Sequence, residues 1–103
     1  MALETVYSIS GVPVRLTEER WEHIVDEHPY MSSYYDALLD AVEQPTYILR
    51  GHGGAWIAVV PLGRREVLHV VYREVSRRDG FIITAYIKPN YDRNRVIWRE
   101  EDQ

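Results

Sequence analysis

The chain has 103 residues, 46% hydrophobic and 27% charged, and no cysteine. That length supports one core rather than two, and without cysteine there is neither a disulfide framework nor a thiolate metal cage. No stretch approaches the ~18 apolar residues of a membrane span. The start, MALETVYSISG, has neither the basic leader nor the apolar block of a secretory signal, so the expected location is cytoplasmic, with no membrane partner.

The net charge of -4 argues against loose binding to nucleic acid, which rests on neutralising phosphates. The charge is uneven, however. Residues 1–50 hold nine acids and three bases, whereas residues 51–103 hold seven acids and nine bases. All the bases but Lys88 are arginines, whose planar forks suit phosphate and carboxylate.

GVPVRL, residues 11–16, reads as an extended lead-in, and the residues before it as a first strand. Thr17 is a helix N-cap, with Glu18 and Glu19 in the first turn, where the helix dipole favours acids. Trp21, Ile24, Val25 and His28 follow at helical spacing and mark a buried stripe that Pro29 ends. Ser32 or Ser33 can cap a second helix, in which Tyr35, Leu38, Leu39 and Val42 repeat the spacing and Pro45 closes it. Its acids Asp36, Asp40 and Glu43 should face water.

After Pro45 the pattern changes to β-branched and aromatic runs, TYILR, AWIAVVPL, EVLHVVYREV and FIITAYIKP. GHGG, GRR and SRRDG separate them as short turns, which favours antiparallel neighbours. NRVIWRE adds either a last edge strand or a packed tail. The expected fold is α+β: two N-terminal helices on one face of a roughly four-stranded antiparallel sheet, the other face open.

Alternation assigns the faces. In FIITAYIKP, Phe81, Ile83, Ala85 and Ile87 share an apolar side, and Ile82, Thr84, Tyr86 and Lys88 share the other. In the preceding strand Val67, His69, Val71 and Arg73 lie on one side, and Leu68, Val70, Tyr72 and Glu74 on the other. A hairpin over SRRDG sets Thr84 and Tyr86 near Arg73 and Val71, so Arg73, Thr84 and Tyr86 can grip one anion. Taken singly, each is more often structural: Thr and Tyr favour any half-exposed sheet, and a strand-end Arg is usually solvated.

The histidines are equally two-sided. His28 closes the first helix's stripe, where a buried, hydrogen-bonded role competes with catalysis. His23 lies off the stripe, and its five-residue spacing from His28 rules out an i, i+4 zinc pair. His52 sits in a glycine turn as a solvated residue, and His69 is either a core histidine or an acid/base on the sheet. No spacing supports a metal site or a cofactor.

In order, RWEHIVDEHP, EQPTYIL, VLHVVYREV and FIITAYIKP resemble the small nuclease-like domains of the Barnase–EndoU–colicin–RelE (BECR) superfamily, in its phage- and mobile-element-associated branch. The likeness runs from about Val14 to Trp98 and rests on the order of motifs that are individually weak. It implies a metal-independent ribonuclease of toxin-like character, in which the ribose 2′-OH attacks the adjacent phosphate. Carried over by position, it implies His28, His23, Arg73, Thr84 and Tyr86 as catalytic residues. Beside them, His69, Lys88 and Tyr72 are candidate substrate contacts, Tyr72 as a stacking surface for bases. RNA and an inhibitor or antitoxin protein are the implied partners. The acidic balance departs from strong RNA binding and keeps an alternative in play: a non-catalytic module on the same fold, acting through a protein partner.

Overall fold

A computed structural model describes residues 2–102. Two strands, β1 (Ala2–Tyr7) and β2 (Pro13–Thr17), precede two helices, α1 (Glu18–Glu27) and α2 (Tyr35–Glu43), joined by a 3-10 turn over Pro29–Ser33. Five strands follow: β3 (Tyr47–Arg50), β4 (Trp56–Gly63), β5 (Glu66–Ser76), β6 (Asp79–Lys88) and β7 (Val96–Arg99). All seven form one sheet in the order β1-β2-β6-β5-β4-β3-β7.

The four-stranded, wholly antiparallel sheet behind two N-terminal helices is therefore incorrect. The sheet has seven strands, strands come before the helices, and β2 runs parallel to β6. The three hairpins of the central sheet are local, and their turns are visible in the sequence. The β2–β6 join brings residues 66 positions apart into register, Val14 with Gly80 and Arg15 with Phe81, and no local pattern encodes it. Gly80 is part of the reason it forms. A Cβ there would lie 2.8 Å from the Arg73 carbonyl oxygen and 3.3 Å from that of Pro13, so only glycine admits both neighbouring backbones.

The helices form largely where their spacing predicts. Thr17 caps α1, its Oγ1 accepting from the Arg20 N–H at 3.1 Å, with Glu18 and Glu19 behind it. Thr17→Ala should lower the unfolding free energy by about 0.5–2 kcal/mol, read from urea denaturation; an unchanged midpoint would mean that the cap contributes nothing. Neither serine caps α2. Ser32 and Ser33 are taken up in the 3-10 turn, and Tyr34 occupies the N-cap without a side-chain hydrogen bond.

Ile24 of α1 and Leu38, Leu39, Ala41 and Val42 of α2 pack on Leu16, Leu68, Val70, Tyr72, Ile82 and Ala85 of the sheet. Trp21 and Tyr35 meet edge to face at 5.1 Å and tie the helices together. The acids Asp36, Asp40 and Glu43 are exposed.

The opposite face is not fully open. Leu49, Val59 and Val67 form a second buried cluster there, flanked by Tyr47, Ile57, Tyr91 and Val96. The segment after β6 folds back over the β3–β4 side, and β5 is consequently buried on both faces from Val67 to Val70.

Side-chain alternation in β6 is also interrupted. Val71 pairs with Thr84 but Tyr72 with Ile82, which leaves Ile83 as a bulge. Ile82 therefore joins Ala85 in the helix-side core, while Phe81 comes opposite Arg73 on the other face.

Candidate functional site

Most of the candidate side chains lie on the face away from the helices. On β5 and β6 the cross-strand pairs there are Val71–Thr84, His69–Tyr86 and Val67–Lys88. His69 and Tyr86 stack, ring centroids 5.0 Å apart and planes 19° from parallel. The Lys88 ammonium lies 5.0 Å from the Tyr86 centroid, a cation–π distance. From the free edge of β6, the His28 ring approaches Tyr86 to 6.0 Å. Tyr30 seals that edge, its hydroxyl oxygen accepting the Ile87 N–H at 3.1 Å.

A cavity of about 390 Å³ opens on this face. His69, Tyr86 and Lys88 line it, together with His52, Tyr91 and Arg95 among others. Arg95 donates through Nε to the Arg50 carbonyl at 2.7 Å and through Nη2 to the Gly51 carbonyl at 3.2 Å. Three of its five N–H donors remain for a ligand. The turn from 51 to 55 takes its shape from Gly53 and Gly54, both at positive φ. Tyr91 is held by stacking on Tyr47 at 4.9 Å.

Two hydrogen-bonding and burial effects set the protonation states. His69 Nδ1 lies 3.0 Å from the Val67 carbonyl oxygen. A carbonyl only accepts, so Nδ1 carries the proton and Nε2 keeps its lone pair. Burial holds this imidazole below the ordinary histidine range; the Lys88 charge acts in the same direction, and the Val67 hydrogen bond opposes both. At neutral pH the ring is an uncharged base. Burial pushes the Tyr86 phenol up, so that group keeps its proton and can donate it.

The residues singled out from the sequence divide into three groups. His69, Tyr86 and Lys88 share the cavity; His28 does not line it, although its ring stands 6.0 Å from that of Tyr86. Arg73 and Thr84 lie on the same face but in other rows. Arg73 is four residues along β5 from His69, about 13 Å at the usual strand rise, opposite Phe81 and beside Gly54. Thr84 is opposite Val71. Arg73, Thr84 and Tyr86 therefore do not converge on one anion.

Tyr72 and His23 lie elsewhere. Tyr72 is 1% exposed in the helix-side core and presents no stacking surface to this cavity. His23 sits on the outer surface of α1, where its Nε2 is 3.0 Å from Glu27 Oε1. His52, Tyr91 and Arg95 were not singled out from the sequence as a site. Their only local signals are a glycine turn and an Asp92-capped 3-10 turn, and neither indicates what each turn approaches.

Among the described residues, no group of three or more His, Asp or Glu side chains is placed to hold a metal ion. None of their helices is long and apolar enough to cross a membrane. No protein-family model matches the chain, and neither a curated protein nor a solved structure matches it.

Proposed function

We propose that this chain is a metal-independent endoribonuclease that cleaves RNA by attack of a ribose 2′-OH on the adjacent phosphate. The observation that carries the reading is the stacked His69–Tyr86 pair beside the Lys88 ammonium, at the wall of a cavity on the sheet face away from the helices.

The reaction needs a base for the 2′-OH, a proton donor for the leaving 5′-oxygen, and positive charge near the phosphate. His69 Nε2, bare and uncharged, takes the proton as the 2′-oxygen bonds to phosphorus. Tyr86 gives its phenolic proton to the 5′-oxygen as the P–O5′ bond breaks. Lys88 and the spare Arg95 donors neutralise the non-bridging oxygens. The products are a 2′,3′-cyclic phosphate and a free 5′-hydroxyl. Thr84, one row along the sheet, and Arg73, two rows along, suit contacts to flanking phosphates better than to the reacting one.

The charge distribution supports this use of an acidic protein. Glu18, Glu19, Glu22, Asp26 and Glu27 of α1 and Asp36, Asp40 and Glu43 of α2 are exposed on the helical layer. That layer lies across the sheet from the cavity, so most of the repulsion is kept off the face that would bind RNA.

Purified protein should cleave RNA in excess EDTA and leave 2′,3′-cyclic phosphate ends, whereas an oligonucleotide with 2′-deoxyriboses throughout should survive. Intact RNA at micromolar protein would remove the catalytic reading and favour a module that acts through a protein partner.

A further inference from the structure

A second cavity, of about 230 Å³, lies on the helix-side face of the sheet beyond the ends of the helices. Trp56, Tyr72, Glu74 and Trp98 line it, and Ile9 and Ile97 are at its rim. Trp56 and Tyr72 are cross-strand partners on β4 and β5, and Trp98 lies on β7 opposite Ile48. Two partly exposed tryptophans, with Tyr72 (1% exposed) at the base, thus line a site that contains one carboxylate.

That carboxylate is held in place by protein but not neutralised by it. Ser8 Oγ donates to Glu74 Oε2, and Ser8 Oγ itself accepts the Val12 N–H at 3.3 Å. The loop between β1 and β2 is braced further by the Ser8 N–H to Val12 carbonyl bond of 3.0 Å and by Gly11 at positive φ. The ion pairs among the described residues are Arg15–Asp79 and His23–Glu27. Arg77 shares a neighbouring depression with Glu74 without reaching ion-pair distance. Burial, and after it the Glu74 charge, push the Tyr72 phenol up, so the ring beside the carboxylate stays neutral.

We propose that this pocket binds a small quaternary ammonium ion. Aromatic faces attract a cation through their quadrupoles, the lone carboxylate supplies the matching charge, and the rim isoleucines favour methylated nitrogen over a fully hydrated ammonium. The volume is below the roughly 300–1,000 Å³ of a drug-sized site, which limits the occupant to the size of a quaternary headgroup. This site does not depend on the ribonuclease reading.

The test is a titration of the full chain with tetramethylammonium chloride, followed by tryptophan fluorescence against sodium chloride at matched ionic strength. Trp56 and Trp98 make the pocket its own reporter. A saturable change is expected, weakened by about tenfold or more in Glu74→Gln, in Ile97→Lys (a new cation at an exposed rim position), and when the neutral, similarly sized 2-methylpropan-2-ol replaces the ion. A non-saturating response, equal binding of the alcohol, or undiminished binding by both variants would overturn the proposal. Binding of N-acetyl-lysine amide about tenfold more tightly than tetramethylammonium would also overturn it, in favour of a lysine side chain presented by a protein.

Discussion

Replacing His69 with glutamine is expected to lower RNA cleavage by about 10²–10⁴-fold, the usual contribution of one general base. Glutamine is the informative choice because its amide N–H can still donate to the Val67 carbonyl, which His69 Nδ1 contacts at 3.0 Å. The variant should therefore keep its local structure and lose only the proton acceptor. Single-turnover rates on a labelled oligonucleotide, with circular dichroism to confirm folding, provide the measurement. A rate within a factor of about ten of the parent is too small a loss for a general base and would transfer that role to another group.

The same residue predicts a pH signature. Burial lowers the pKa of His69 in the folded chain, below the ordinary histidine value of about 6.5. Its base form persists under mildly acidic conditions, and the rate should fall only as pH drops through the depressed folded value. Stability follows the same linkage. As pH falls below about 6.5 the unfolded chain takes up this proton before the folded chain does. The His69 contribution is thus fully present above that pH and is lost as pH falls to the folded pKa. Urea titrations of parent and His69→Gln between neutral and mildly acidic pH should show a shallower decline in the variant. Parallel declines would mean that His69 is not the buried neutral ring described above.

Leu68→Ala is expected to cost about 2–5 kcal/mol, a large share of the 5–15 kcal/mol by which domains are usually stable. Leu68 is fully buried at the centre of the helix-side core, with Ile87 and Val60 as its cross-strand partners. Neither backbone neighbour can collapse into the space that it leaves. The measurement is a shift of the urea midpoint with an unchanged slope. Ile97→Ala is the matching control: Ile97 is 48% exposed on edge strand β7, and its loss should change stability by no more than about 0.5 kcal/mol. A loss at Leu68 as small as that at Ile97 would contradict the assignment of β5 faces on which the position of His69 also depends.

How much of this was legible beforehand depends on the range of the interaction. Thr17 as a cap, the apolar spacing of Ile24, Leu38, Leu39 and Val42, and the glycine turn before β4 all act within a few residues, where chain chemistry alone decides. The alternation of β5 was equally readable, and it set His69 and Arg73 on one face and Tyr72 on the other. The bulge at Ile83 was not readable. An extra residue enters a strand to suit its partner's register, and its effect here was to exchange the faces of Phe81 and Ile82.

By itself, then, the sequence determined two amphipathic helices, a run of hairpin-linked strands, and one strand face bearing Thr84, Tyr86 and Lys88. Only the tertiary structure decided that β1 and β2 extend the sheet, that the segment around Tyr91 and Arg95 folds over the face of β3–β5, and that His69 rather than Arg73 stands beside Tyr86. Those outcomes depend on pairings between segments tens of residues apart. Their energies come from backbone approach at Gly80 and burial around Val59 and Val67, and no short window of sequence contains both partners.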